Sequence, residues 1–328
     1  MGHHNTPTTA DFLGEQLKDH LDLRVYSSCK IKSLRLFDMV LGVILSRKSK
    51  VILIDTYSTK AFWFAIICAR LAEVIGTHYI PILHGGNLKS RAEKTPKLFS
   101  HYLKNAYVVI SPSAFLIDGL SKYFKFKSVI ISNSIQIDKY HFKKREHRGS
   151  VNLLWVRAFQ ELYNPILAVE ILSKLTRLGY DAKLCMVGPD KDGTLAKVEA
   201  AILANAVEDR VEITGLLSKN EWIKKSADFN FFLNTTNIDN SPVSVMEAMA
   251  LGLIVLSTKV GGIPYMIDDW VDGIMFNQGD VDDCVEKVIK ITNSPELMSA
   301  VSTNAREKAE QWDIRKTRKR YLKIIENV

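Results

Sequence analysis

The chain has 328 residues, 47% hydrophobic and 24% charged, which excludes disordered and collagen-like chains and leaves room for roughly two globular domains. Its net charge of +8 is unevenly divided: residues 1–148 carry 23 Lys and Arg against 11 Asp and Glu, and the remainder carries 21 against 25. The basic half therefore fits an anionic membrane surface, a lipid phosphate, a nucleic acid or a merely solvated surface, with nucleic acid least favoured because no nucleic-acid module is recognisable.

The opening residues 2–9 read as a turn, and helix signals begin at Thr9–Ala10–Asp11. The strand that normally opens an α/β domain is thus expected to be missing, leaving the first sheet one central strand short. Nothing in the first residues reads as a secretory signal. An amphipathic helix is predicted over 34–45, a strand over 51–54 and a helix over 61–75. That helix is the most apolar segment, but it is too short to span a bilayer and contains Arg70. Strands follow at 79–83, 107–110 and 129–131, with a helix at 112–124. The polar run 143–150 marks a linker.

Beyond it, strands are predicted at 153–156, 183–187, 229–233 and 254–256, with helices at 165–178, 195–206, 242–251 and 281–291. From Glu296 onward two Lys- and Arg-rich helices remain, and the basic run from Arg315 to Arg320 suits either a solvated face or a membrane. Short β-branched runs alternating with amphipathic segments predict the α/β class, with parallel sheets covered on both faces. Two Rossmann-like domains are expected, 1–148 and 149–312, with 313–328 a terminal helix returning to the first. Cys29, Cys68, Cys185 and Cys284 form no C-x-x-C pair. Reduced thiols, a cytoplasmic location and no structural zinc are expected, with Cys68 and Cys185 as small core residues.

Residues 234–269 are the most informative stretch. A buried strand delivers a polar loop, and Ser241 is placed to cap a helix whose first position is Pro242. The backbone N–H groups of Val243, Ser244 and Val245 would then point from the positive end of the helix dipole toward an anion such as a diphosphate. Asp239 lies before the cap, and Glu247 lies about 7 Å along the helix. A carboxylate repels phosphate but accepts hydrogen bonds from sugar hydroxyls. The arrangement fits a ligand ordered sugar, diphosphate, ribose; it also fits a plain capped helix with Glu247 in solvent.

These residues resemble the glutamate-x7-glutamate signature of family 4 retaining glycosyltransferases, which have the GT-B fold. An acid, here Asp239, stands eight positions before the Glu of an E-A-M-A helix, followed by Gly252, a buried strand, Gly261–Gly262 and Asp272–Gly273. The resemblance covers nearly all the chain and is sharpest over 152–276. It implies two Rossmann-like domains facing a cleft, and transfer of a hexose-type sugar, with retention, from a nucleoside-diphosphate sugar. The implied acceptor is a glycan or a lipid-linked molecule of polysaccharide, lipopolysaccharide or glycolipid synthesis. The implied place is the cytoplasm, free or peripheral on the inner face of the membrane, and neither metal nor cofactor is implied.

The resemblance also implies residue roles. Arg157, in the loop after the first donor-domain strand, would bind diphosphate. Gly188, Gly215 and Leu216 would lie at strand ends near the nucleotide, and Gly2 in the opening turn. Glu247 would hold the ribose and Asp239 the sugar, while His84, before Gly85–Gly86, would face the sugar from the other domain. Three positions depart from the pattern: Asp239 replaces Glu, Tyr163 stands where Lys is usual, and Tyr265 where Glu often follows the Gly–Gly turn. Two rivals remain. A GT-B epimerase would need another set of His, Asp and Glu residues, and a catalytically inactive sugar-nucleotide-binding or scaffolding protein would bind without turnover.

Overall fold

The structure is a computed structural model and describes residues 9–26, 31–146 and 149–328. Gly2, with the opening turn, and Cys29 lie outside the described residues. The chain divides into two compact units, Met1–Asn133 with Ile314–Val328, and Ser134–Asp313.

The first unit contains α1 (Thr9–Leu17), α2 (Lys32–Leu45), β1 (Val51–Thr56), α3 (Ala61–Val74), β2 (His78–Leu83), α4 (Leu88–Lys94), α5 (Pro96–Lys104), β3 (Val109–Ser111), α6 (Ala114–Ser121) and β4 (Ser128–Ile130). Its strands form one parallel sheet in the order β1-β2-β3-β4, with β1 at the edge. Helices α4 and α5 escaped sequence reading because both are short; α4 is largely polar, and α5 shows only Pro96 at its first turn and one apolar stripe, Phe99, Tyr102 and Leu103. Within β2, Tyr79 and Leu83 face one core with α3 and α5, whereas Ile80 and Ile82 face another with Leu17.

The second unit contains β5 (Val151–Val156), α7 (Pro165–Arg177), β6 (Ala182–Val187), α8 (Thr194–Ala204), β7 (Val211–Gly215), α9 (Lys219–Lys225), β8 (Phe231–Asn234), α10 (Val243–Ala250), β9 (Ile254–Thr258), β10 (Ile274–Phe276), α11 (Val281–Thr292) and α12 (Pro295–Ala309). Six parallel strands run in the order β10-β9-β8-β5-β6-β7. Successive residues of a strand point to opposite faces, and both faces are buried. Leu153, Trp155, Leu184 and Met186 join one core with α7, α8 and α11. Leu154, Cys185, Phe232 and Val255 join the other with α9 and α10. This is why the strands read as continuous apolar runs rather than as alternating patterns.

The final helix, α13 (Ile314–Glu326), belongs to the first unit: Tyr321 and Ile325 are buried against the sheet face that holds Ile80 and Ile82. The second unit takes in residues 134–146, ahead of the polar run at 143–150. Ile135, Ile137 and Tyr140 are buried in its core, and the Ile135 N–H bonds the Trp312 carbonyl at 3.0 Å. The residues of the run are polar, but Arg145 is itself buried and bonded to the Ser226 and Leu251 carbonyls.

Cys68, Cys185 and Cys284 are buried and unbridged. Burial pushes the Cys68 thiol up to about 11, and burial followed by the nearby Glu212 charge pushes Cys185 up to about 12.

Candidate active site

In a parallel α/β sheet the ligand crevice lies outside the carboxyl ends of the strands, where neighbouring strands send their connections to opposite faces. In the second unit that point falls between β5 and β8. Arg157 directly follows β5, and Asn234 ends β8. The Arg157 guanidinium donates to the Asp239 carboxylate in an ion pair and reaches Asn234 Oδ1 at 3.5 Å. Asn234 keeps that oxygen turned to Arg157 by donating its amide to Ser257 Oγ at 2.8 Å. The guanidinium carbon also lies 4.8 Å from the centre of the Tyr163 ring. Tyr163, where the family pattern has Lys, therefore contributes a cation–π platform that fixes the arginine. Among the described residues, Arg157 Nε is buried without a hydrogen-bond partner.

The loop carrying Asp239 is clamped by the Gly–Gly turn. The Gly262 N–H donates to the Asp239 carbonyl at 2.9 Å. A Cβ at Gly262 would stand 1.7 Å from the Asn240 carbonyl oxygen, and one at Gly261 2.1 Å from that of Asp239. Both glycines are thus dictated by backbone-to-backbone approach. Asp239 Oδ1 accepts from the Asn240 N–H at 2.9 Å while Oδ2 faces Arg157.

The helix after this loop starts one residue later than expected. Pro242, with φ −68° and ψ 120°, is its N-cap rather than its first residue, and Ser241 stands one position before the cap. The reason is that the Pro242 carbonyl already receives the Val245 N–H at 3.2 Å and the Met246 N–H at 3.4 Å. The Val245 N–H is therefore consumed within the helix, and the N–H groups of Val243 and Ser244 remain at the helix end.

Glu247 is not solvated; only 4% of it is exposed. Its Oε1 accepts from the Tyr140 hydroxyl at 2.7 Å and from the Lys219 ammonium. Among the described residues no donor reaches Oε2. Burial, then the Glu247 charge and their hydrogen bond, hold the Tyr140 phenol well above its ordinary pKa, so it stays a donor. Arg306 anchors this corner by donating to the Tyr140 and Ala250 carbonyls at 2.6 and 2.8 Å. Lys219 opens α9, whose start is set by a capping box between Ser218 and Glu221. Sequence reading missed both partners: the S-K-N-E run marks the helix start, but nothing local says where its lysine reaches.

Gly188 directly follows β6 and Gly215 ends β7, and the two lie side by side, the Gly188 N–H bonding the Gly215 carbonyl at 2.9 Å. Gly188 has φ +155°, and a Cβ there would stand 1.7 Å from the Arg157 carbonyl oxygen. Leu216 is exposed beyond them. The second unit thus gathers Arg157, Asp239, the start of α10, Glu247, Gly188, Gly215 and Leu216 toward the carboxyl end of one sheet.

His84 belongs to the first unit, at the end of β2. It is buried, its Nε2 lies 2.9 Å from Asp55 Oδ1, and its ring stacks on Tyr57 at 4.9 Å. A neutral imidazole that donates Nε2–H to Asp55 keeps Nδ1 as an acceptor. Among the described residues no three His, Cys, Asp or Glu side chains are grouped as metal ligands.

The model of the family described as Glycosyl transferases group 1 matches residues 136–308, more than half of the chain. Sulfoquinovosyl transferase SQD2 of Arabidopsis thaliana is 33% identical over 105 residues, which are 31% of this chain and 21% of that protein. The uncharacterized glycosyltransferase MJ1178 of Methanocaldococcus jannaschii is 22% identical over 276 residues, 83% of this chain and 75% of that one. Among solved structures, Anabaena Alr3699/HepE in complex with UDP superposes with a TM-score of 0.78 at 14% identity, covering 96% of this chain and 89% of that chain.

Proposed function

The chain belongs to the group 1 glycosyltransferases, and from that premise we propose that it transfers a hexose-type sugar, with retention, from a nucleoside-diphosphate sugar to a glycan or lipid-linked acceptor. The pathway in this reading is polysaccharide, lipopolysaccharide or glycolipid synthesis, and neither metal nor other cofactor takes part. One observation carries the proposal: Arg157 and Asp239 are paired at the switch point of the sheet, beside the free end of α10.

Charge that develops on the leaving diphosphate is met by the Arg157 guanidinium and the Val243 and Ser244 N–H groups. These donors are fixed before the reaction begins, so they stabilise the transition state without a reorganisation cost. Asp239 accepts from a hydroxyl of the transferred sugar, and Glu247 offers Oε2 to the ribose. The strand ends at Gly188, Gly215 and Leu216 take the base side of the nucleotide. For His84, whose Nε2 is engaged by Asp55, the family resemblance supports a role for Nδ1 as acceptor from a sugar hydroxyl. The UDP held by the Anabaena protein makes uridine donors the first to test.

The test is a thermal-shift screen of sugar nucleotides followed by assay of released nucleoside diphosphate. A donor at 100 times its Kd stabilises by about 2.7 kcal/mol. Arg157→Ala is expected to lower turnover by more than Asp239→Asn lowers donor affinity, since the arginine meets charge that grows only in the transition state. The anomeric configuration of the product is read by NMR. Full turnover in Arg157→Ala removes the arginine from the leaving-group site. Donor binding without turnover by the wild-type chain identifies a binding protein instead.

A further inference from the structure

Helix α2 presents an apolar face that nothing among the described residues covers. Leu34, Phe37, Leu41, Ile44 and Leu45 are all exposed, Phe37 by 67% and Leu34 by 53%. Their spacing of three or four residues places them on one side of the helix. The other side is the one the core uses, where Val43 is buried and Met39 packs against it alongside α3. On α3, Trp63 and Ile67, one turn apart, are exposed as well. Isolated exposed leucines are ordinary, but a whole helix stripe of large apolar side chains marks an interaction surface.

The charge beside the stripe selects the partner. Arg47, Lys48 and Lys50 come directly after it and are exposed, as is Lys60 before α3. Between Asp38 and Asp55 the sequence contains no Asp or Glu. We propose that this face of the first unit docks on an anionic lipid bilayer, with the α2 stripe at the headgroup–acyl boundary and residues 47–50 against the anionic headgroups. An amphipathic helix with basic flanks lies in the interface in this manner. With 14 residues α2 cannot span a bilayer, and no helix among the described residues is long and apolar enough to do so. A second copy is the poorer occupant, because a self-complementary contact through this face brings two net-positive patches together, and like-charged patches repel. No residue of the donor site lies in this face, so docking stands or falls independently of the proposed reaction.

The experiment is vesicle flotation with phosphatidylcholine alone and with phosphatidylcholine mixed with phosphatidylglycerol, at low and raised salt. The chain is expected to float only with the mixed vesicles and less at raised salt. The triple variant Arg47→Gln, Lys48→Gln, Lys50→Gln is expected to bind on the order of a hundredfold more weakly, at about fivefold per charge removed. Phe37→Ser with Leu41→Ser is expected to abolish binding while the unfolding midpoint holds, since both side chains are exposed. Several results overturn the proposal: no flotation with mixed vesicles, equal flotation with neutral ones, or unchanged binding by the Phe37→Ser, Leu41→Ser variant. Self-association that this variant abolishes, in a chain that does not float, assigns the face to a second copy instead.

Discussion

Tyr140→Phe isolates one hydroxyl. The ring of Tyr140 is part of the second unit's core, and phenylalanine fills the same space, so no cavity term arises. What is lost is the 2.7 Å donation to Glu247 Oε1, a carboxylate that is only 4% exposed. A hydrogen bond to a charged group contributes about 1.5–3 kcal/mol. Lys219 remains as the other donor, but it is half exposed and reaches from the surface, so it replaces little of that. For a unit of this size each kcal/mol moves Tm by about 2–4 °C, so calorimetry is expected to show a fall of roughly 3–12 °C. The same loss frees the carboxylate to turn, so affinity for UDP should drop several-fold while affinity for 2′-deoxy-UDP drops less. A double-mutant cycle with Glu247→Gln checks the cause, because residues in one hydrogen-bonded unit couple. Unchanged Tm and unchanged nucleotide affinity, or strict additivity in the cycle, would refute the idea that Tyr140 positions Glu247.

Gly262→Ala forces a Cβ to within 1.7 Å of the Asn240 carbonyl oxygen. It should destabilise by about 1–3 kcal/mol in denaturant melts and depress donor turnover, whereas Gly119→Ala in α6, where a Cβ meets nothing within 4 Å, should stabilise by about 0.5–1 kcal/mol; equal behaviour of the two would mean that the clamp on Asp239 is not steric. Because Cys68, Cys185 and Cys284 are buried and burial raises their thiols, a thiol reagent at mildly alkaline pH should modify none of the three in the native protein and all of them on unfolding, as read by mass spectrometry of peptides.

Much of the fold was legible in the sequence because the information is local. Strands buried on both faces are apolar at nearly every position, so β5, β6, β8 and β9 appear as near-continuous apolar runs, and the helices between them keep their period. The polar loop, the E-A-M-A helix and the Gly261–Gly262 turn could likewise be placed in order, since their spacing along the chain is the feature that matters. What the residues do to one another was decided only in three dimensions. Glu247 fits a solvated helix position by local pattern. It is buried because Tyr140, 107 positions away, and Lys219, 28 away, close over it. The start of α10 slips by one residue because the Pro242 carbonyl takes the first helical hydrogen bonds, a preference that Ser241 as a good capping residue hides. Residues 134–146 join the second unit, ahead of the polar run, because the burial of Ile135, Ile137 and Tyr140 outweighs the polarity of residues 143–150. The α10 start is decided locally, by which carbonyl takes the first helical hydrogen bonds. For Glu247 and for residues 134–146 the deciding term is a contact between segments distant in sequence, and such a contact leaves no periodicity behind for the chain itself to show.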